Sequence, residues 1–132
     1  MDRLFLDANI LFSAAYKPES RPLQLWRLKD VVLCGSRYAV EEARVNLAAE
    51  TQKRALQKLS AVLQFFEAAD HALPRGIVLP EKDSPILLAA IAARATHLLT
   101  GDVQHFGRYF GSKFEAVCIM PPAQYLKVRE RQ

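Results

Sequence analysis

The sequence predicts an α/β layer fold: a mostly parallel central sheet of about four or five strands, flanked by helices. Three observations predict it. Short apolar runs rich in β-formers alternate along the chain with longer segments of helical spacing. Two of the apolar runs end on an aspartate, LFLD7 and HLLTGD102, as strands do when they deliver acids to the carboxyl edge of a sheet. The 132 residues, 51% hydrophobic and 24% charged, suit one compact domain spanning 1–132. Five glycines and seven prolines are too few for a linker-rich chain, and no repeat or low-complexity segment interrupts the pattern.

Taken in order, residues 4–6 form a buried strand ending at Asp7. Residues 8–16 have helical spacing, which Lys17-Pro18-Glu19-Ser20 breaks. Ser20 caps a second helix over 20–29, with Pro22 in its first turn and Leu25, Trp26 and Leu28 on its apolar side. A strand follows at 31–34, and Gly35-Ser36 makes the turn. Residues 38–73 contain neither Gly nor Pro. Leu56, Leu59, Leu63 and Phe66 recur at intervals of three and four, an amphipathic pattern. The stretch is too long for one helix, so it predicts a hairpin of two that meet near 49–52. Residues 73–76 are a loop and 77–80 a short edge strand. Asp83-Ser84-Pro85 starts a nearly all-apolar helix over 86–95, which must be buried on most sides. Residues 97–100 are a strand, 104–114 a loop, and 116–120 the last strand. Pro121-Pro122 starts a final helix through 128, after which the polar tail RERQ frays.

The formal charge of +4, from 18 basic and 14 acidic residues, tolerates a polyanionic partner without demanding one. Cys34 and Cys118 both lie in apolar runs and read as buried thiols of a reducing compartment in preference to a disulfide between neighbouring strands. The first residues reach an aspartate too soon for a signal peptide. The longest apolar run stops at Arg94, far short of the roughly 20 residues a membrane span requires. The expectation is a soluble, cytoplasmic protein without a membrane partner.

The chemistry lies in the acids. Asp7 and Asp102 end two strands at the edge where parallel sheets bind ligands. Asp83 opens the helix that leads into the second of those strands. Glu41 or Glu42 lies early in the helix after 31–34. These acids come from distant parts of the chain and can converge. Converging carboxylates repel one another and lose solvation, so a fold retains them only with compensation. Hard divalent cations such as Mg²⁺ or Mn²⁺ supply it, since they take oxygen ligands. One or two such ions activate water and stabilise the leaving oxygen of a phosphodiester. The reaction class is metal-assisted phosphodiester hydrolysis.

The segments LFLDANILFSA, SRYAVEEARVNL and LPEKDSPILLAAIAARATHLLTGDVQHFG, with a strand and PPAQYL after them, resemble a PIN domain. That is the fold of the VapC-type toxin ribonucleases. The resemblance runs from residue 4 to 126 and is weakest over 50–75. It implies a three-layer PIN-like fold, and binding of Mg²⁺ or Mn²⁺ by acidic residues that cut RNA. Mapped residue by residue, it assigns Asp7, Glu42, Asp83 and Asp102 to the catalytic, metal-binding positions, with nothing interrupting the quartet. It further implies an RNA substrate, a cognate antitoxin protein and the capacity to form a homodimer.

Each of these residues also has a plainer structural reading. Asp7 at a strand end can simply cap the following helix. Asn9 either bonds the turn backbone or holds the carboxylate of Asp7, and the second role is preferred. Glu41 and Glu42 sit roughly 100° apart on a helix, so only one faces a given point. Periodicity does not choose between them; the resemblance favours Glu42 and leaves Glu41 on the surface. Asp83 before Ser-Pro is a strong helix cap. Gly101 admits close backbone approach beside Asp102, and Thr100 orients a carboxylate or fills the strand end. His105 is read as a structural neighbour of Phe106 in preference to a catalytic base. His71 and His97 lack zinc-like spacing. Ser13, four residues after Asn9, is left outside the active set. Arg37, Arg44, Lys53, Arg54 and Lys58 read as a solvated face. Arg108 and Lys113 are the better candidates to hold an RNA backbone. Competing functions are a non-catalytic PIN-like module that binds RNA or protein, and, further behind, an aspartyl-phosphate phosphatase. The latter needs an acid where Asn9 stands.

Overall fold

The computed structural model describes residues 1–131. A central six-stranded sheet is flanked by helices, and its strand order is β3-β2-β1-β4-β6-β5. The strands are β1 (Asp2–Leu6), β2 (Val31–Gly35), β3 (Gln64–Phe65), β4 (His97–Leu99), β5 (Lys113–Phe114) and β6 (Val117–Met120). All neighbouring pairs are parallel except β5 with β6. The helices are α1 (Ala8–Tyr16), α2 (Arg37–Asn46), α3 (Glu50–Ser60), α4 (Ser84–Ala92), α5 (Val103–Phe106) and α6 (Pro122–Glu130). The predicted fold class therefore holds, with six strands where four or five were expected and two very short edge strands, β3 and β5, at places not expected.

Leu4, Phe5 and Leu6 are fully buried in β1, as a central parallel strand covered on both faces requires. Helix α1 packs against α2 and α3, while α4 lies on β2 and β4. The all-apolar α4 buries Ile86, Leu87, Leu88, Ala89 and Ala90, in keeping with its sequence. Cys34 and Cys118 are buried free thiols on strands that are not neighbours.

Several local expectations are corrected. Residues 21–27 wind into a 3-10 helix closed by bonds three residues apart, such as Leu23 N–H to the Ser20 carbonyl. The Ser20 hydroxyl does not cap it, because that group donates to the Ala14 carbonyl. The second arm of the hairpin stops at Ser60 instead of reaching 73. Leu63 and Phe66 keep the apolar spacing, but a turn and β3 deliver them to the core. Leu63 packs where a side chain on Gly35 would stand, its Cδ1 2.9 Å from that Cβ position.

The edge strand expected at 77–80 is absent. Ile77 and Leu79 are buried and Val78 is exposed, the alternation of a strand. However, the Tyr109 hydroxyl accepts from Val78 N–H and donates to the Val78 carbonyl, occupying the groups a ladder would use. The loop expected over 104–114 contains α5, a 3-10 turn over Gly107–Tyr109 and β5. The tail does not fray through its first residues. α6 runs to Glu130, and Arg129 bonds the Tyr125 hydroxyl and Asp30. Gln132, the last residue of the expected frayed tail, lies outside the described residues.

Candidate metal centre

β1 sits between β2, which follows it in the chain, and β4, which comes much later. The connections depart in opposite directions from this point, leaving a crevice beyond the carboxyl ends of β1 and β4. Asp7 N–H bonds the Leu99 carbonyl, so the two strand ends are joined at the crevice itself.

Asp7 is 3% exposed and caps α1. Its Oδ1 accepts from Ala8 N–H at 2.7 Å. Its Oδ2 accepts from the Thr100 hydroxyl at 2.8 Å and from Asn9 Nδ2 at 3.0 Å. Asn9 Oδ1 in turn accepts from Gly101 N–H at 2.8 Å, and the buried Thr100 oxygen accepts from Asp102 N–H at 3.1 Å. A Cβ on Gly101 would come within 3.3 Å of that Asn9 oxygen, so the glycine permits the close approach. Burial pushes the Asp7 carboxyl up to about 6. The Thr100 and Ala8 hydrogen bonds oppose the rise, and the negative charges of Asp83 and Glu42 add to it.

Asp83 corrects its expectation as a cap. It precedes α4 in helical conformation, and its side chain makes no capping bond. Its Oδ2 instead lies 2.8 Å from His105 Nδ1. Burial raises its pKa, as does the charge of Asp102, against the lowering effect of His105 and Lys82. Asp102 caps α5, its Oδ1 accepting from His105 N–H at 3.0 Å, while its Oδ2 lies 2.9 Å from His105 Nδ1. Asp83, Asp102 and His105 each offer a donor atom, and the three atoms lie within 4.8 Å of one another.

Glu42 extends from α2 into the same groove, whereas Glu41 is exposed and pairs with Arg44 at 2.6 Å. The groove, of about 680 Å³, is lined by Asp7, Glu42, Asp83 and Asp102, so the structure brings the four predicted acids to one place. Asn9, Ser13, Asn46 and Lys82 line it too. A smaller, mostly apolar cleft of about 320 Å³ between α1 and α3 holds lysines but no acid, and so lacks the chemistry.

Four features escaped sequence reasoning. Asn46 follows Glu42 by four residues and shares its helix face, a legible signal. Lys82, beside Asp83, is the basic residue of the groove; Arg108, Lys113 and the hairpin cations do not line it. The Tyr38 hydroxyl donates to the Lys82 carbonyl at 2.6 Å, tying α2 to the turn that carries Asp83. The double approach of His105 to two carboxylates depends on tertiary placement and had no local signal.

A family model described as the PIN domain matches residues 3–104. Two solved structures are similar in fold. VapBC2 from Rickettsia felis, bound to a DNA fragment from their promoter, aligns with a TM-score of 0.66 at 16% identity, covering 90% of this chain and 98% of that one. FitAcB from Neisseria gonorrhoeae aligns with a TM-score of 0.52 at 18% identity, covering 91% and 98%. No curated protein matches.

Proposed function

The chain belongs to the PIN domain family, and from that premise we propose that it is a divalent-metal-dependent endoribonuclease, the toxin of a type II toxin–antitoxin pair. In this reading residues 1–132 act as one domain in the cytoplasm, on RNA, until an antitoxin covers the acidic groove. Asp7, Glu42, Asp83 and Asp102 hold Mg²⁺ or Mn²⁺.

One observation carries the reading: a nearly inaccessible carboxylate, Asp7, shares a groove with three more acids. Such a cluster is uphill without a cation. The residues present fit one. They offer carboxylate oxygens, and Asp83 Oδ2 is buried without a hydrogen-bond partner. Bound there, the ion supplies the charge that acidifies water and stabilises the departing oxygen of a phosphodiester. The chain does the positioning. Thr100, Asn9 and Ala8 fix the Asp7 carboxylate before any ligand arrives. Lys82 adds positive charge on the groove wall, where a substrate phosphate requires it.

The test is a Mn²⁺ titration of the purified chain followed by thermal melting, alongside an RNA cleavage assay. Binding to the native state raises the midpoint in proportion to the logarithm of the ion concentration. Asp7→Asn is expected to abolish both the rise and the cleavage. A wild-type chain that neither gains stability nor cuts RNA with Mn²⁺ or Mg²⁺ would sink the proposal.

A further inference from the structure

We propose that His105 is a direct nitrogen ligand of the cation, and that this ligand makes the centre favour a transition ion such as Mn²⁺ over Mg²⁺. The inference rests on the metal-dependent function proposed above and adds a donor that an all-carboxylate centre lacks.

The local fold aims the ring. Asp102 caps α5 by accepting the His105 backbone N–H on Oδ1, which leaves Oδ2 beside the imidazole of the same residue. Asp83 brings its own Oδ2 to that nitrogen from the turn before α4. His105 Nδ1 thus stands 2.8 Å from one carboxylate oxygen and 2.9 Å from another. One nitrogen carries at most one proton, and one proton cannot point at both oxygens. The ring is aligned with neither: Nδ1 and Asp83 Oδ2 are buried, and neither has a hydrogen-bond partner. Asp83 is only 8% exposed, so water does not relieve it.

A cation accounts for all three donors at once. An octahedral ion with ligands at about 2.1 Å sets adjacent donors about 3 Å apart, the spacing seen between the nitrogen and each oxygen. The nitrogen also discriminates between ions. Mg²⁺ takes oxygen ligands, whereas imidazole suits transition ions. Among the other histidines, His97 directs Nδ1 to the Thr96 hydroxyl and His71 to the Ala72 carbonyl, so neither nitrogen is free for the ion.

The experiment uses the untagged full chain with Mn²⁺ and Mg²⁺ as the only probes. Pulsed EPR of the Mn²⁺-loaded wild type is expected to show modulation from a bound imidazole nitrogen. His105→Gln is expected to bind Mn²⁺ without that modulation and to lose about tenfold of its preference for Mn²⁺ over Mg²⁺ in competition titrations. His105→Asp restores an oxygen donor, so it should bind both ions with no nitrogen signal, which separates ligand loss from misfolding. Mn²⁺ bound to the wild type without nitrogen coupling overturns this proposal and leaves the metal-dependent function standing. So does a preference unchanged in His105→Gln. A wild type that binds no Mn²⁺ overturns both.

Discussion

At the scale of single residues, Asp7 sets the pH behaviour of the metal-free protein. Its carboxyl rises from 3.8 to about 6 on folding, so the folded chain holds that proton more tightly than the unfolded one. The contribution of this group to stability is then greatest below about pH 4, falls as pH climbs to 6, and stays at the lower level above it. The fall is on the order of 3 kcal/mol at most. Thermal melts with a chelator present should show this decline, and Asp7→Asn should flatten it. Thr100 offers the complementary test. Removing its hydroxyl with Thr100→Val takes away the donor to Asp7 Oδ2 and the acceptor for Asp102 N–H. The expected loss is about 1–3 kcal/mol of stability. Calorimetric titration should also show metal affinity falling by roughly 10–100-fold.

At the scale of elements, the β5–β6 hairpin is joined by Glu115 and Ala116 with φ of 49° and 71°. Two successive left-handed residues make the turn type that matches strand twist, and Asn-Gly is its preferred sequence. Glu-Ala fits it poorly, which is why nothing in the residues announced a hairpin. Replacing the pair with Asn-Gly should raise stability by about 1 kcal/mol, read as a higher melting midpoint. The segment over 77–80 fails as a strand for a different reason. Tyr109, thirty-one residues away, takes both backbone groups of Val78. Tyr109→Phe leaves those groups without a partner and should cost about 1–3 kcal/mol in denaturant unfolding.

At the scale of the whole molecule, what was legible followed periodicity, and what was not depended on tertiary partners. β1, α1, β2 and the apolar α4 were readable because each carries its burial pattern in its own residues. The end of α3 was not, since Leu63 and Phe66 extend a helical rhythm across a turn. In the site, Asp7 and Asp102 were readable from two strands ending alike. Periodicity did not separate Glu42 from Glu41, and the approach of His105 to two carboxylates required Asp83 to arrive from elsewhere. The tail misled because its polarity is answered by a network: the Tyr125 hydroxyl donates to Asp2, and Arg129 joins it to Asp30. Tyr125 is 2% exposed, so Tyr125→Ala should cost roughly 3–5 kcal/mol in the same unfolding measurement.

The clasp between Asn9, Gly101, Asp7 and Thr100 spans more than ninety positions of the chain. A nascent polypeptide that has emerged only as far as α4 possesses Asp7 and Asn9 but neither the hydroxyl that donates to the first nor the Gly101 amide that donates to the second. The geometry of the first carboxylate is thereby tied to the arrival of residues 100 and 101, and a copy cut short before them keeps the acid without the frame that orients it.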